Sequence, residues 1–185
     1  MNGWSQASAE RRILSLGAAV FLLDQLTKLV VVQSLRLGEE RAVLPGFFTF
    51  VHWGNTGSAW SLFRGNNHLL AGVAVIALVG LWWGRRQFEA HRLPGQLALG
   101  FLFGGIVGNL LDRILPGRRH VVDFLYFHLH PREGGELGFP AFNVADMAIC
   151  TGVGLLILLS WSLPPDRPAP PPVESPAGPG NPDAR

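Results

Sequence analysis

The chain has 185 residues, of which 48% are hydrophobic and only 15% are charged, and its mean hydropathy is positive at +0.26. This balance is unusual for a soluble domain, so a membrane protein is the first hypothesis. The net charge is only +2, and arginines near membrane surfaces account for it without a nucleic-acid partner. A single cysteine excludes an intrachain disulfide.

Four apolar segments are long enough, or nearly so, to cross a bilayer as helices, which takes about 20 residues. They are residues 13–35, 68–84, 94–115 and 142–163. The sequence therefore predicts an all-α membrane protein with four transmembrane helices. Residues 1–12 are expected to form a cytoplasmic N-terminus, and the Pro-rich residues 164–185 a disordered tail.

The first apolar segment begins like a signal peptide, because Arg11 and Arg12 precede ILSLGAAVFLL. Asp24 interrupts it, and no A-x-A cleavage pattern follows, so we interpret it as an uncleaved first span. Asp24 and Lys28 lie four residues apart on one helix face. We expect a mutually neutralised pair or a snorkelling lysine, with Asp24 facing a polar interior.

Residues 36–67, between the first two spans, have a different composition. Aromatic and β-branched residues are interspersed with Gly and Pro in AVLPGFFTFVHWGNTGSAWSLF, which predicts short strands and turns. We expect a small extracytoplasmic β-rich cradle between helices 1 and 2.

The distribution of basic residues predicts the orientation in the membrane. Total counts on the two sides are equal, but Arg85, Arg86 and Arg92 crowd one short loop, next to the interfacial pair Trp82 and Trp83. This loop and both termini are therefore expected in the cytoplasm.

The third span combines small and polar residues. Glycines recur there at every fourth position, namely Gly100, Gly104 and Gly108. This spacing lets helices approach closely. Asn109, Asp112 and Arg113 follow at i, i+3 and i+4. An interfacial pair between Asp112 and Arg113 would explain the two charges, but it leaves Asn109 unexplained.

Two more acids adjoin the third and fourth spans. Asp123 follows the third span in HVVDFLYF, and Asp146 lies in the first turn of the fourth. Asp146 and Asn143 are also typical of a helix N-terminus, where capping alone would explain them. Two carboxylates in a partly dry site share one proton and can activate water. Asn109 and Asn143 would then hold a substrate backbone or orient the acids.

Competing interpretations use the same residues. Imidazole and carboxylate groups suit zinc, so one alternative is a metal site formed by His120, Asp123, His128 and His130. The spacing of these four residues matches no strong metal-binding signature. We therefore predict neither a metal nor another cofactor. A proton-coupled transporter would also use intramembrane acids. Against it, the acids cluster at one membrane depth, and no inverted repeat is evident. For Cys150, among apolar neighbours, we expect a buried, inert thiol.

Four motifs together resemble one family, the lipoprotein signal peptidases (signal peptidase II). They are DQLTK at 24–28, NTGSAWSLF at 55–63, GGIVGNLLDRI at 104–114 with VVDF at 121–124, and FNVADMAI at 142–149. The resemblance implies a bacterial inner-membrane aspartic endopeptidase with its active site near the outer leaflet. It would cleave prolipoproteins before the diacylglyceryl-modified cysteine, in contact with membrane lipid. We separately expect a monomer.

The resemblance also implies roles for individual residues. It makes Asp123 and Asp146 the catalytic pair. Five further positions would bind substrate or support the pair, namely Asp24, Asn55, Asn109, Arg113 and Asn143.

Overall fold

The computed structural model describes residues 3–57, 65–129, 135 and 137–162. Within them the elements follow the order α1 (Gly3–Ser34), β1 (Glu40–Leu44), β2 (Phe48–Asn55), α2 (Asn67–Trp83), α3 (Leu93–Ile114), β3 (Val121–Leu129), β4 (Leu137–Gly138) and α4 (Val144–Ser162). The predicted tail at 164–185 lies outside the described residues.

The four helices coincide with the four predicted apolar segments. Three of them contain stretches long and apolar enough to cross a membrane, Ala7–Ser34, Leu93–Ile114 and Val144–Trp161, whereas α2 is shorter at 17 residues. α1 begins at Gly3, ten residues before the predicted span. The difference arises because hydropathy detects only the apolar part of a helix. The more polar residues at the start of α1 also favour a helical conformation, which continues outside the apolar span.

The helix α3 packs against both α1 and α4, and its glycines make these contacts close. A Cβ atom added at Gly104 would lie 2.6 Å from the carbonyl oxygen of Gly17 on α1. One added at Gly105 would lie 2.5 Å from the carbonyl oxygen of Ala145 on α4. The prediction that small residues bring the helices together is confirmed.

A four-stranded antiparallel sheet of order β1-β2-β3-β4 lies beyond the ends of the helices. The prediction confined the β structure to residues 36–67 of an otherwise all-α chain, and this was incomplete, because β3 and β4 follow α3. The residues of β3 are mostly buried along both faces. A strand buried on both faces lacks the alternation of apolar and polar residues by which a strand is recognised.

The sheet is attached to the helices through β3. Val122 and Phe124 form a buried cluster with Val31 and Leu35 at the end of α1. β3 also holds the segment just before α4, because the N–H of Leu125 donates to the carbonyl of Phe142, two residues before the helix, at 2.9 Å. The start of α4 therefore lies beside the middle of β3.

The side chain of Cys150 is exposed on α4, so the expectation of a buried thiol was wrong. The buried face of α4 includes Ala145, Ala148 and Gly152, at spacings of three and four. Cys150 lies two residues from both Ala148 and Gly152, about 200° around the helix, and faces away from α3.

Candidate active site

The first turn of α4 is closed by two reciprocal hydrogen bonds. The N–H of Asp146 donates to Asn143 Oδ1 at 3.0 Å, and the N–H of Asn143 donates to Asp146 Oδ2 at 3.2 Å. This is the geometry of a capping box, with Asn as the cap and Asp three residues later. The predicted capping is therefore present, and it holds the Asp146 carboxylate at a defined position.

Asp123 is buried on β3 and faces the side chain of Asn55 on β2. In the antiparallel register Asp123 is opposite Trp53, so Asn55, two residues further, shares the same face. Asn55 Nδ2 donates to Asp123 Oδ2 at 3.0 Å. Asn55 Oδ1 in turn accepts from the N–H of Gly57 at 2.8 Å, which fixes the orientation of the amide.

Two asparagines connect the two aspartates. Asn143 Nδ2 donates to Asp123 Oδ1 at 2.8 Å. Asn109 Nδ2, from α3, donates to Asp146 Oδ1 at 2.7 Å. The two amides also contact each other, because Asn143 Nδ2 lies 3.3 Å from Asn109 Oδ1. Both carboxylates are thus parts of one hydrogen-bonded cluster in which every amide has a defined orientation.

Burial is the main influence on the ionisation of Asp123. Together with the negative charge of the neighbouring Asp146, it raises the pKa of Asp123 from 3.8 to about 7, against the opposing hydrogen bonds from Asn55 and Asn143. Asp123 therefore retains its proton at a pH where an exposed aspartate is ionised.

Beneath this cluster lies a network of buried charges. Lys28 Nζ is 2.9 Å from Asp24 Oδ2 and 2.7 Å from Asp112 Oδ2, and all three side chains are fully buried. Asp112 also binds Arg118 at 2.7 Å. The predicted pairing of Asp24 with Lys28 is confirmed, and the lysine does not snorkel to the membrane surface. Asp112 pairs with Lys28 and Arg118, and no ion pair joins it to Arg113 among the described residues.

Asp24 and Arg113 extend the cluster in two directions. Asp24 Oδ1 accepts the N–H of Ala145 at 2.9 Å, so a residue of α1 caps the start of α4. Arg113 donates to the carbonyl of Asn109 at 3.0 Å and to that of Gly57 at 3.0 Å. It thereby joins the end of α3 to the loop after β2.

All seven site residues predicted from the sequence therefore lie in one connected set of hydrogen bonds and ion pairs. Further members were not assigned to the site, among them Lys28, Asp112, Arg118 and Gln25, whose side-chain amide donates to Asp24 Oδ2 at 3.0 Å. Their signal was present in part, because Asp24 and Lys28 are four residues apart and Asp112 follows Asn109 by three. The partners across the helix interface, however, are not encoded in any local spacing.

The histidines considered as metal ligands are directed elsewhere. His128 Nε2 lies 3.0 Å from Thr49 Oγ1, and the ring of His120 packs against Gly54. His130 lies outside the described residues. In the described part of the chain, no three His, Cys, Asp or Glu side chains are grouped as metal ligands would be.

This geometry suits one kind of chemistry in particular. Two carboxylates, one of which retains its proton near neutral pH, can supply a general base and a general acid at the same site. The hydrogen-bonded amides hold both carboxylates in place without contributing charge.

Comparison with known proteins identifies relatives along most of the chain. A family model described as signal peptidase (SPase) II matches residues 16–162. A lipoprotein signal peptidase of Syntrophotalea carbinolica is 38% identical over 154 residues, which cover 82% of this chain and 91% of the relative. Another, of Symbiobacterium thermophilum, is 39% identical over 143 residues, 77% of this chain and 90% of the relative.

Solved structures agree with this similarity. One bacterial membrane enzyme, determined by the in meso method, superposes with a TM-score of 0.69 at 30% identity, covering 80% of this chain and 87% of the other. A second, also determined in meso, has a TM-score of 0.67 at 29% identity and covers 81% and 92%.

The fold and the match to the family model define a membrane peptidase of the aspartic type. More particularly, the chain belongs to the signal peptidase II family, the lipoprotein signal peptidases. The family assignment favours the peptidase interpretation over the transporter, and it makes a lipoprotein precursor the substrate.

Proposed function

We propose that Asp123 and Asp146 are the catalytic pair of this peptidase. The observation that carries the proposal is the cluster in which Asn143 and Asn109 connect the two carboxylates. Burial and the charge of Asp146 hold the pKa of Asp123 near 7, so that one proton is shared at neutral pH.

In the resting enzyme Asp123 holds the shared proton and Asp146 is ionised. Asp146 lies at the N-terminus of α4, where the helix dipole favours a negative charge. It also accepts hydrogen bonds from Asn109 Nδ2 and from the N–H of Asn143. Asp123 lies on β3, accepts hydrogen bonds only from the uncharged amides of Asn55 and Asn143 among the described residues, and is only 4% exposed.

The reaction needs no covalent intermediate with the enzyme. Asp146 takes a proton from water, whose oxygen attacks the scissile carbonyl carbon, while Asp123 donates its proton to the carbonyl oxygen. The gem-diol then breaks down as the C–N bond is cleaved, the amide nitrogen takes up a proton from the Asp146 carboxyl, and Asp123 regains its proton from the diol. Each aspartate ends in its original state.

The remaining predicted site residues would bind substrate or support the pair. Asn55 and Asn143 donate to Asp123, and Asn109 donates to Asp146. Arg113 joins α3 to the loop after β2, and Asp24 caps α4. These contacts keep the carboxylates in position.

The substrate we propose is a prolipoprotein that carries a diacylglyceryl group on its cysteine, cleaved just before that residue. The enzyme would act as a monomer with four spans in the bacterial inner membrane. Its termini would be cytoplasmic, with the sheet and the site at the outer leaflet in contact with lipid. In support of this arrangement, the exposed side chains of β1, β2 and the turn between them include Val43, Leu44, Phe47 and Phe50, which suit a membrane interface.

The test is cleavage of a diacylglyceryl-modified precursor by the purified protein. Asp123→Asn and Asp146→Asn should each lower the rate by at least about 100-fold, because each removes one of the two proton-transfer groups. Both variants should still insert in the membrane.

The matched control is Glu40→Gln, the same loss of charge at an exposed position of β1. It should cleave at the rate of the unmodified protein. Undiminished cleavage by both aspartate variants would refute the proposed pair.

A further inference from the structure

Lys28 makes one contact that charge neutralisation does not require. Its ammonium group has three hydrogens and three acceptors: Asp24 and Asp112, described above, and Asn109 Oδ1 at 3.0 Å. The two carboxylates are already balanced by Lys28 and Arg118, so the four charges sum to zero. The third hydrogen is directed at the asparagine that holds Asp146.

This contact determines which way the Asn109 amide is turned. Asn109 Oδ1 accepts from Lys28 Nζ and from Asn143 Nδ2, while its Nδ2 donates to Asp146. A rotation of the amide by 180° would place its NH₂ group against two donors and its oxygen against a carboxylate. Both contacts would be repulsive, so the ammonium group strongly favours the observed orientation.

We infer that Lys28 is a positioning residue of the peptidase, whose ammonium group holds the Asn109 amide so that it donates to Asp146. The inference rests on the proposed role of Asp146 and goes beyond it, since Lys28 acts from the opposite side of the helix interface. Lys28 is fully buried, so it acts through Asn109 and touches no substrate.

Loss of the ammonium group should therefore affect turnover more than binding. Without it, only the weaker contact with Asn143 and the bond to Asp146 itself favour the observed orientation of the Asn109 amide, so a larger fraction of the molecules loses the hydrogen bond to Asp146. A hydrogen bond to a charged group corresponds to about a 10- to 100-fold change in an equilibrium. We expect Lys28→Met to lower kcat by up to that factor and to leave KM within about twofold.

The pH profile supplies a second readout that a purely structural residue would not alter. The positive charge of Lys28 lowers the pKa of Asp123, so its removal should move the decline of activity at alkaline pH to a higher pH. The charged side chains around the cluster come from α1, α3, the loop after α3, β3 and α4, and are Asp24, Asp112, Arg113, Arg118, Asp123 and Asp146.

The decisive experiment is a double-mutant cycle between Lys28→Met and Asn109→Ala, measured as kcat on the lipid-modified precursor. If Lys28 acts through Asn109, the double variant should be no slower than Asn109→Ala alone. Losses that multiply would overturn the inference.

Arg118→Met is the matched control, because it removes the other cation of the same network without a contact to Asn109. The factor by which Arg118→Met lowers kcat should multiply with the factor for Asn109→Ala. The pH at which the activity of Arg118→Met declines should be that of the unmodified protein. An equal pH shift in Arg118→Met and Lys28→Met would contradict the inference.

Because Lys28→Met leaves two carboxylates facing each other, the cycle is repeated in an Asp112→Asn background, where charge balance is kept. Failure to obtain folded protein in that background would mark Lys28 as structural and overturn the inference. Active Asp123→Asn and Asp146→Asn variants would instead refute the proposed function, whatever the cycle shows.

Discussion

At the residue scale, the site has an acid whose ionisation is set by its surroundings. Asp123 is 4% exposed, and burial of a carboxylate disfavours its charged form. The asparagine side chains that surround it, Asn55 and Asn143, donate hydrogen bonds without adding charge. A lysine or arginine in those positions would favour ionisation much more strongly and would remove the acid from the pair.

This arrangement predicts the pH dependence of cleavage. The pKa of Asp123 is raised to about 7, so the pair carries its shared proton below that pH and loses it above. We expect kcat/KM to decline at alkaline pH with an apparent pKa of about 7, and by about tenfold per pH unit beyond it. The hydrogen bond from Asn55 lowers the pKa of Asp123, so Asn55→Ala should move this decline to higher pH.

The measurement is a series of initial rates across the pH range for both proteins. Thr49→Val is the control, because Thr49 lies on the same strand and contacts His128 rather than the aspartates. An alkaline decline of kcat/KM at an unchanged pH in Asn55→Ala would contradict this account of Asp123. An equal shift of that decline in Thr49→Val would contradict it as well.

At the element scale, α3 positions the site through its small residues. Gly108 lies beside Asp24, and a Cβ added there would be 2.5 Å from Asp24 Oδ2. A side chain at Gly108 would push α1 away from α3 and would move Lys28 away from Asn109. The close helix contact is therefore a condition for the polar cluster, as well as a source of packing energy.

Gly104→Ala should separate α1 from α3. The new Cβ would lie 2.6 Å from the Gly17 carbonyl oxygen and 2.6 Å from Val20 Cβ, and neither can move without shifting the helix. Overpacking of this kind costs about 1–3 kcal/mol. We expect a lower melting temperature in detergent and slower cleavage.

Gly80→Ala is the matched control, because a Cβ at that position of α2 would have no neighbour within 4 Å. It should melt at or above the temperature of the unmodified protein, since alanine favours a helix. Equal destabilisation by both variants would show that intrinsic helix preference, rather than the contact with α1, decides the result.

At the scale of the whole molecule, the sheet and the basic end of the helices lie at opposite ends. β3 packs against the end of α1 near Leu35, whereas Arg85, after α2, forms an ion pair with Glu10 near the other end of α1 at 2.9 Å. Basic residues at the Glu10 end include Arg11, Arg12, Arg86 and Arg92. This charge distribution favours a cytoplasmic location for that end.

Reporter fusions test this orientation. A green fluorescent protein joined after Arg185 should fluoresce, because it would fold in the cytoplasm, whereas alkaline phosphatase at the same place should be inactive. Alkaline phosphatase inserted after Gly46, in the turn between β1 and β2, should be active. The reverse pattern would invert the proposed topology.

Much of the molecule was predictable from local sequence. The four apolar segments determined the helices, since a span of about 20 apolar residues has few alternatives in a bilayer. The polar residues within them marked the site, because an ionisable side chain at such a depth needs a partner. The four motifs from 24 to 149 then indicated the family, which the comparisons confirmed.

The partners of those polar residues were decided only by the tertiary structure. The sequence left a pairing of Asp112 with its neighbour Arg113 open as an alternative, whereas Asp112 lies against Lys28 on α1. β3 was not recognised as a strand, although it holds Asp123 opposite the start of α4. Spacing along the chain determines which residues share one helix face, whereas contacts between elements depend on how closely the helices pack. Here glycines on α3 allow α1 to approach, and that approach joins Asp24 and Lys28 to the cluster around Asp123 and Asp146.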